Sequence, residues 1–287
     1  MDRLTEKTII VTGGTSGIGL AAVHAFVAAG AFVLGVGRSQ QRNQKAKQEI
    51  LMDFPEGKLY YLLADLASQA QVRTLAKNIS SLLAQNGIEK VDVLVNNAGM
   101  YMERKHRTED GIEATFAVNH LAPFLLTHEL LPLLMHADDG RVLIVSSYSH
   151  FTTPLNLNRI ADPWPYFGLL AYKRSKLCNV LFTHEINRRY QNVTAFAVDP
   201  GLVNTPIASK GDRGISHWVW RNRRKKGTSP EVPVRTLLFL AGKEEIDRSK
   251  GIYYKDSAPK QPSKKSENAR LAAALWDLSC RLTGILW

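Results

Sequence analysis

The sequence predicts an α/β fold in which a doubly wound parallel sheet forms a single domain over residues 1–287. Apolar, β-branched runs that end in Gly, Asp, Asn or Ser alternate along the chain with segments of helical length. This alternation is typical of right-handed βαβ crossovers. The runs are apolar at consecutive positions, which is expected of parallel strands buried on both faces. We find no internal repeat and no linker of domain length.

The predicted elements follow in chain order. The strands are TIIVTGG, AFVLGVG, KLYYLLADL, VDVLVNNAG, GRVLIVSS and VTAFAVDPG. A helix, GIGLAAVHAFVAAG, follows the first strand, and a second, ASQAQVRTLAKNISSLLAQNG, follows the third. KLCNVLFTHEINRR has apolar residues near the 3.6-residue period and predicts a helix before the sixth strand. Because ligands of such sheets bind beyond the carboxyl ends of the strands, we expect the functional residues there.

Composition indicates a folded protein of a reducing compartment. With 45% hydrophobic and 22% charged residues, 287 residues can bury a large core and are not expected to be disordered. Cys178 and Cys280 have no metal-ligand partner nearby in sequence, so we predict buried thiols and no metal site. The sequence leaves no room for a signal peptide before the first strand, and no run of 18 apolar residues predicts a membrane span. We expect a cytoplasmic protein.

A glycine-rich turn follows the first strand. In VTGGTSGIG the glycines at 13, 14, 17 and 19 have a TGxxxGxG spacing and lead into a helix. Such a turn lets the backbone approach a pyrophosphate at the positive end of the helix. A purely structural turn is the alternative. Its position after the first strand of an alternating chain favours dinucleotide binding and a Rossmann-type fold.

Tyr172 and Lys176 lie four residues apart in AYKRSKL. On a helix this spacing places both side chains on one face, where they can converge. Taken alone, the pair is most often an ordinary amphipathic face. Whether the phenol has a chemical role therefore depends on the rest of the chain.

Three motifs in order, TGGTSGIG, NNAG at 96–99 and YKRSK at 172–176, resemble those of the short-chain dehydrogenase/reductase family. Asn119 in FAVNHLAPF and DPGLVNT at 199–205 extend the resemblance over nearly the whole chain. The closer resemblance is to the branch of retinol dehydrogenases and light-dependent protochlorophyllide reductases. That branch also has a long interval between its Ser and Tyr, and a C-terminus similar to LWDLSCRLTGI.

The resemblance implies a carbonyl/alcohol oxidoreductase with four catalytic residues. Tyr172 would exchange a proton with the substrate oxygen, and Lys176 would bind the nicotinamide ribose and lower the pKa of the phenol. Lowering that pKa by about 3 units requires about 4 kcal/mol of differential stabilisation. Ser147 would hold the oxygen, because its interval of 25 residues to Tyr172 matches that branch, and the strand pleat points Ser146 the other way. Asn119 would hold a water that links Lys176 to solvent, or it is only a structural helix kink.

The second strand predicts NADP(H) rather than NAD(H). It ends at Gly37 and Arg38, and no carboxylate precedes Glu49. A guanidinium suits a ribose 2′-phosphate, although an exposed loop arginine is the alternative. By resemblance Asp65 would contact adenine or cap a helix, and Thr205 would bond the carboxamide or act as an N-cap. The full set of predicted cofactor contacts is Gly13, Thr15, Ser16, Gly17, Ile18, Gly19, Arg38, Asp65, Leu66, Asn96, Ala98, Gly99, Tyr172, Lys176, Pro200, Gly201, Val203 and Thr205.

The substrate is expected to be lipophilic and retinoid-, steroid- or quinone-like. The interval between Ser147 and Tyr172 is rich in aromatic and aliphatic residues that either wall a substrate pocket or pack as a loop. These residues are Phe151, Leu155, Trp164, Tyr166 and Phe167. The alternative function is a catalytically silent NADPH-binding sensor, which the intact Tyr172 and Lys176 disfavour. Family members often pair through the helix that bears the Tyr, which favours a homodimer or homotetramer.

The basic residues are concentrated late in the chain, whose net charge is +11. The densest part is SHWVWRNRRKKG at 216–227, within a segment, about 206–228, that forms a substrate lid in the family. Three interpretations remain open for this cluster: a solvated lid face, weak peripheral contact with anionic membrane, and nucleic-acid binding. The last is disfavoured because no recognition motif is present.

Overall fold

The computed structural model describes residues 4–204, 227–247 and 251–286. Its strands are β1 Thr8–Thr12, β2 Phe32–Gly37, β3 Leu59–Leu63, β4 Val93–Asn96, β5 Gly140–Val145, β6 Val193–Val198, β7 Tyr253–Lys255 and β8 Ala258–Pro259. They form one sheet in the order β3-β2-β1-β4-β5-β6-β7-β8, with β1 to β7 parallel and β8 antiparallel to β7. The predicted doubly wound α/β fold is confirmed.

Helices cover both faces of the sheet. Successive residues of the central strands enter different cores, so that Ile10 packs with Phe124 and Phe182 on one face. Val11 packs with Phe26 on the other. This burial on both faces explains the continuously apolar strands. The helices are α1 Gly17–Ala28, α2 Gln40–Asp53, α3 Gln69–Gln85, α4 Ala114–Phe116, α5 Ala122–Glu129, α6 Leu131–Met135, α7 Gly168–Arg189, α8 Glu231–Gly242 and α9 Ala269–Thr283.

A π-helical turn, Ala117–Leu121, joins α4 to α5 without a break in the helix. Asn119 lies at its centre and is fully buried. Single π-turns inside α-helices insert one extra residue and are frequent at functional sites. The kink expected at Asn119 is therefore present as a π-turn.

The order of the strands places a crevice at the carboxyl edge of the sheet. The chain runs outward from β1 to β2 and β3 on one side and from β4 onward on the other. Ligands of open α/β sheets bind where the winding direction reverses, here between β1 and β4. The turn that leaves β1 and the loops that follow β4, β5 and β6 all meet at this edge.

The C-terminal helix α9 closes the outer side of α7. Leu275 of α9 packs with Leu177 and Leu181 of α7. The Trp276 ring lies 5.9 Å from the Phe182 ring, centroid to centroid. No helix among the described residues is long and apolar enough to cross a membrane.

Candidate active site

A cavity of about 570 Å³ lies at the carboxyl edge of the sheet. Its wall includes residues that follow each strand from β1 to β6 and the last residue of β7. Of the residues predicted from the sequence, the cavity is lined by Gly13, Thr15, Ser16, Gly17, Ile18, Arg38, Asp65, Leu66, Ala98, Gly99, Ser147, Tyr172, Lys176, Pro200, Gly201 and Val203. Three other predicted residues, Gly19, Asn96 and Asn119, lie outside its wall. Thr205 and the basic residues of 216–226 lie outside the described residues.

The turn after β1 needs its glycines. Gly13 has φ +69°, and a Cβ there would lie 3.0 Å from the Ala98 Cα. A Cβ on Gly19 would lie 2.2 Å from the Gly13 carbonyl oxygen, so Gly19 allows the helix to pack against the turn. Ser16 is the N-cap of α1, but its side chain makes no capping hydrogen bond. The unsatisfied N–H groups and the positive end of α1 therefore suit an anion at this side of the cavity.

The turn after β4 places Asn97, not Asn96, in the cavity wall. Asn96 is the last residue of β4, and its buried side chain donates a hydrogen bond to the Thr127 hydroxyl, 3.2 Å away. Asn97 donates from its side chain to the Thr12 carbonyl at 2.8 Å. The backbone N–H groups of Asn97 and Ala98 both donate to the Thr12 hydroxyl at 3.0 Å. Sequence pattern alone does not distinguish the two adjacent asparagines.

The two serines that follow β5 point in different directions. The Ser146 hydroxyl is buried and donates to the Lys176 carbonyl at 2.9 Å, which ties β5 to α7. Ser147 is half-buried in the cavity wall, and its hydroxyl forms hydrogen bonds with Ser149 and with the Tyr172 side chain. The geometry therefore agrees with the choice of Ser147 as the candidate oxygen-binding hydroxyl.

Tyr172 and Lys176 converge on α7, but burial shifts the pKa of each side chain toward the neutral form. An activated phenol would require the opposite, a lowered pKa for Tyr172. Burial raises the pKa of Tyr172 to about 12, and the hydrogen bond from Ser147 only partly offsets it. Burial also lowers the pKa of Lys176 to about 8. The Lys176 ammonium lies 5.6 Å from the centre of the Tyr172 ring and donates to the Val145 carbonyl at 2.9 Å. In the protein alone, desolvation therefore outweighs the attraction of this cation for a phenolate.

Asn119 holds the π-turn against the loop after β4. Its side-chain oxygen accepts the Met100 N–H at 2.7 Å, and its amide donates to the Met100 carbonyl at 3.0 Å. The same amide donates to the Ser175 hydroxyl on α7 at 2.9 Å. A Cβ on Gly99 would lie 3.4 Å from the Asn119 oxygen and 3.6 Å from the Lys176 nitrogen. Asn119 thus positions the backbone beside Lys176, while its role in a water relay stays a prediction.

Arg38 and Asp65 lie at the β2–β3 end of the cavity. Arg38 follows β2 in the wall with its side chain exposed. Asp65 accepts the Ala67 N–H at 3.0 Å and so shapes the turn before α3, whereas Ser68 is the N-cap of that helix. Ser39 caps α2 by accepting the Arg42 N–H at 3.4 Å. Arg38 thus provides a positively charged side chain at this end of the cavity wall.

None of the five apolar residues considered between Ser147 and Tyr172 lines the described cavity. Phe151 stacks on Tyr148 at 4.7 Å, Leu155 packs on the core beside α7, and the Tyr166 hydroxyl donates to the Met102 carbonyl at 2.9 Å. Trp164 and Phe167 are exposed. The apolar and aromatic residues that do line the cavity include Met100, Tyr101, Met102, Tyr148 and Leu202.

Other site residues carried no signal in the sequence. Tyr101 meets the Tyr172 ring edge-on, with centroids 6.2 Å apart. His150 is buried behind the cavity, where it accepts the Ser263 N–H at 3.1 Å on Nε2 and therefore donates from Nδ1 to the Ser147 carbonyl at 2.8 Å. Asp199 and Lys255 also line the cavity. The four residues come from different parts of the chain, so only the fold brings them together.

The chain matches known proteins over nearly its full length. A family model described as short chain dehydrogenase matches residues 7–215. Retinol dehydrogenase 12 of Mus musculus is 32% identical over 99% of this chain and 89% of that protein. Polyprenol dehydrogenase of Homo sapiens is 30% identical over 98% of this chain and 86% of that protein.

Solved structures share the fold. The structure of an uncharacterized protein from Mycobacterium Paratuberculosis has a TM-score of 0.76 and 28% identity, over 99% of this chain and 96% of that one. A short chain dehydrogenase from Shigella flexneri 2a str. 301, complexed with NADP, has a TM-score of 0.66 and 21% identity over 85% and 94% of the two chains. The fold, the arrangement of the cavity and these matches lead to one conclusion: the chain belongs to the short chain dehydrogenase family, and its relatives include retinol dehydrogenases.

Proposed function

We propose that the protein is an NADP(H)-dependent oxidoreductase that transfers a hydride between the nicotinamide and a carbonyl or alcohol group of a lipophilic substrate. One observation carries the proposal: the hydrogen-bonded hydroxyls of Ser147 and Tyr172 and the buried Lys176 lie in the same cavity as the glycine turn of α1. The names of the relatives, retinol dehydrogenase and polyprenol dehydrogenase, support a retinoid-like or otherwise lipophilic substrate.

The residues of the cavity fit a dinucleotide. The glycine turn packs too closely for a side chain at Gly13, and no side chain caps the N-terminus of α1, so its backbone N–H groups suit a diphosphate. Arg38 would pair with a 2′-phosphate at the far end of the cavity. When bound, the nicotinamide donates or accepts the hydride. By resemblance Lys176 would bind its ribose hydroxyls, and Pro200, Gly201 and Val203 are further predicted cofactor contacts.

Ser147 and Tyr172 act on the substrate oxygen in this proposal. Both hydroxyls hold the oxygen, and Tyr172 donates its proton when a carbonyl is reduced. A phenol with a pKa of about 12 is fully protonated at pH 7, which suits the role of proton donor. In the oxidation direction the same phenol must lose its proton, and the Lys176 ammonium, 5.6 Å from the ring, stabilises the resulting charge.

The proposal is tested by mixing the protein with NADPH and a panel of lipophilic ketones, aldehydes and quinones. We expect loss of NADPH absorbance with at least one class of compound. Tight NADPH binding without turnover of any compound, in either direction, would instead favour a silent NADPH-binding sensor. Binding must therefore be measured in the same preparation.

Arg38 tests the proposed preference for NADP(H). We expect Arg38→Ser to lower kcat/KM for NADPH by about tenfold or more, because a charge-assisted, bidentate contact with the 2′-phosphate is lost. The value for NADH, which lacks this phosphate, should change little. Equal use of NADPH and NADH by the unaltered protein would contradict the preference.

A further inference from the structure

A second cation, Lys255, lies on the side of the cavity away from Arg38. It is the last residue of β7, and it lines the same cavity as Ser147 and Tyr172. The Asp199 N–H donates to the Tyr254 carbonyl at 2.8 Å, which fixes Lys255 beside the turn that follows β6. A Cβ on Gly201 would lie 3.8 Å from the Lys255 Cε, so the lysine stem runs along that turn.

No acidic side chain among the described residues forms an ion pair with Lys255. Within residues 4–204, 227–247 and 251–286, its ammonium makes no ion pair or side-chain hydrogen bond. Asp199 lies on the neighbouring strand end, but its Oδ1 accepts the N–H groups of Tyr148 at 3.3 Å and Gly201 at 3.0 Å. A half-buried cation without a protein partner favours an anion from a bound ligand.

The sheet geometry separates Lys255 from the proposed cofactor phosphates. Neighbouring strands lie about 4.8 Å apart, so β7 is four strands, roughly 19 Å, from the diphosphate turn after β1. It is five strands, roughly 24 Å, from the β2 end that carries Arg38. Ser147 follows β5, only two strands or roughly 10 Å away. An anion at Lys255 would therefore belong to the molecule whose oxygen lies at Ser147 and Tyr172.

The wall between these points is suited to an apolar spacer. Leu202 and Tyr148 line the cavity near the turn after β6, and Met100, Tyr101 and Met102 line it near the loop after β4. A ligand that spans from Tyr172 to Lys255 would thus contact apolar side chains along its body and a cation at its end.

From these observations we infer that Lys255 binds an anionic group of the substrate. The inference rests on the proposed function and narrows its substrate class. The preferred substrates are amphipathic carbonyl or alcohol compounds in which a carboxylate, sulfate or phosphate is separated from the reacting carbon by several carbon atoms.

A matched pair of ketones tests the inference: 5-oxo-5-phenylpentanoate, which carries a carboxylate, and its neutral methyl ester. Their affinities are measured by titration calorimetry for the unaltered chain, Lys255→Met and Lys255→Arg, each loaded with NADP⁺, which cannot reduce a ketone. Lys260→Met is the control, since this exposed lysine lies on the same hairpin but does not line the cavity. We expect Lys255→Met to weaken binding of the acid by about tenfold and of the ester by less than about twofold. Lys255→Arg should bind the acid nearly as well as the unaltered chain.

Three outcomes would overturn the inference. They are an equal loss of affinity for acid and ester, no loss for either, and a loss of NADPH affinity with the acid unaffected. The last would assign Lys255 to the cofactor. Because binding is measured without turnover, a protein that reduces no carbonyl compound would refute the proposed function, while the comparison of acid with ester would still decide on Lys255.

Discussion

Burial governs the charge of the two central residues of the site. Tyr172 and Lys176 are both nearly inaccessible, at 7% and 3% exposure, and in each case burial favours the neutral form. The sequence alone predicts the pair but not these pKa directions, because the helical spacing says nothing of how deeply a side chain is buried. The resemblance implied a lowered phenol pKa, and the protein by itself has the opposite shift. A bound cationic ring would have to supply the remaining stabilisation of a phenolate.

The lowered pKa of Lys176 predicts a pH-dependent effect on stability. A lysine with a pKa of about 8 when folded and 10.5 when unfolded binds fewer protons in the folded state between these values. Its desolvation cost is therefore greatest below pH 8 and disappears as the pH rises to 10.5. The difference in free energy of unfolding between the unaltered protein and Lys176→Met should shift by about 2 kcal/mol in favour of the unaltered protein from pH 7.5 to pH 10.

Urea unfolding of both proteins at the two pH values measures this shift. Other titrating groups are common to both chains and cancel in the difference. Tyr172 is also common to both chains, and its raised pKa begins to affect stability only near pH 10. A difference that is the same at both pH values would show that Lys176 is not desolvated.

The adjacent serines after β5 and the adjacent asparagines at the end of β4 show what strand alternation can and cannot predict. The interval to Tyr172 that the resemblance implies, together with the alternation of side chains along a strand, favoured Ser147 over Ser146, and the hydrogen bond of Ser146 to the Lys176 carbonyl agrees. The same alternation does not reach past the end of β4, where Asn96 is buried and Asn97 faces the cavity. A turn reverses the direction of successive side chains in ways that only its backbone angles determine.

At the scale of elements, the strands and helices were predictable where their pattern is long. The first six strands begin and end within a few residues of the predicted runs. β7 has only three residues, in GIYYKDS, and is too short to give a periodic signal. The π-turn at 117–121 was expected only as a kink, because an inserted helical residue leaves no mark on composition. Lys255, the last residue of β7, was not predicted because so short a strand gives no periodic signal.

The segment 205–226 is bounded by described residues that meet at the cavity. Val203 lines the wall and forms a parallel bridge with Thr228, whose N–H donates to the Leu202 carbonyl at 2.8 Å. The chain therefore leaves and returns at the cavity edge, and the lid that the resemblance implies for about 206–228 stays a prediction. Its basic cluster lies outside the described residues, so the membrane interpretation is tested in solution.

We predict weak, salt-sensitive binding of the protein to vesicles that contain phosphatidylserine. Each basic residue near an anionic surface contributes about 1 kcal/mol, and tryptophans beside the cluster favour the interface. Co-sedimentation should fall as salt is raised, and it should be lost when all five basic residues become Ser. Those residues are Arg221, Arg223, Arg224, Lys225 and Lys226. Phosphatidylcholine vesicles are the control, and no protein in the low-salt pellet of anionic vesicles would leave the cluster as a solvated lid face.

At the scale of the whole molecule, α9 covers the helix through which family resemblance implies pairing of subunits. Leu275 and Ala272 of α9 pack on Leu177 and Leu181 of α7 within one core cluster. A homodimer through this face of α7 would have to displace α9 and expose that core. The sequence showed the C-terminal segment but not its docking site, which depends on contacts between distant residues.

We therefore expect the protein to be a monomer in solution. Light scattering coupled to gel filtration should give a mass near 32.0 kDa, with or without NADPH. A mass of twice this value would show that the subunits pair through a different surface or that α9 moves aside. Small-angle scattering would then distinguish these two arrangements.

The central claim, that Tyr172 transfers a proton in hydride chemistry at this cavity, is tested most directly by Tyr172→Phe. The substitution removes one oxygen from a buried ring and leaves Ser147, Lys176 and the glycine turn in place. Turnover of the best substrate should fall by about 10³-fold or more, while the Kd for NADPH changes by less than about twofold. Tyr60→Phe is the matched control, because its hydroxyl bonds Asn86 away from the cavity and its loss should leave turnover unchanged. Turnover retained in Tyr172→Phe would contradict the account.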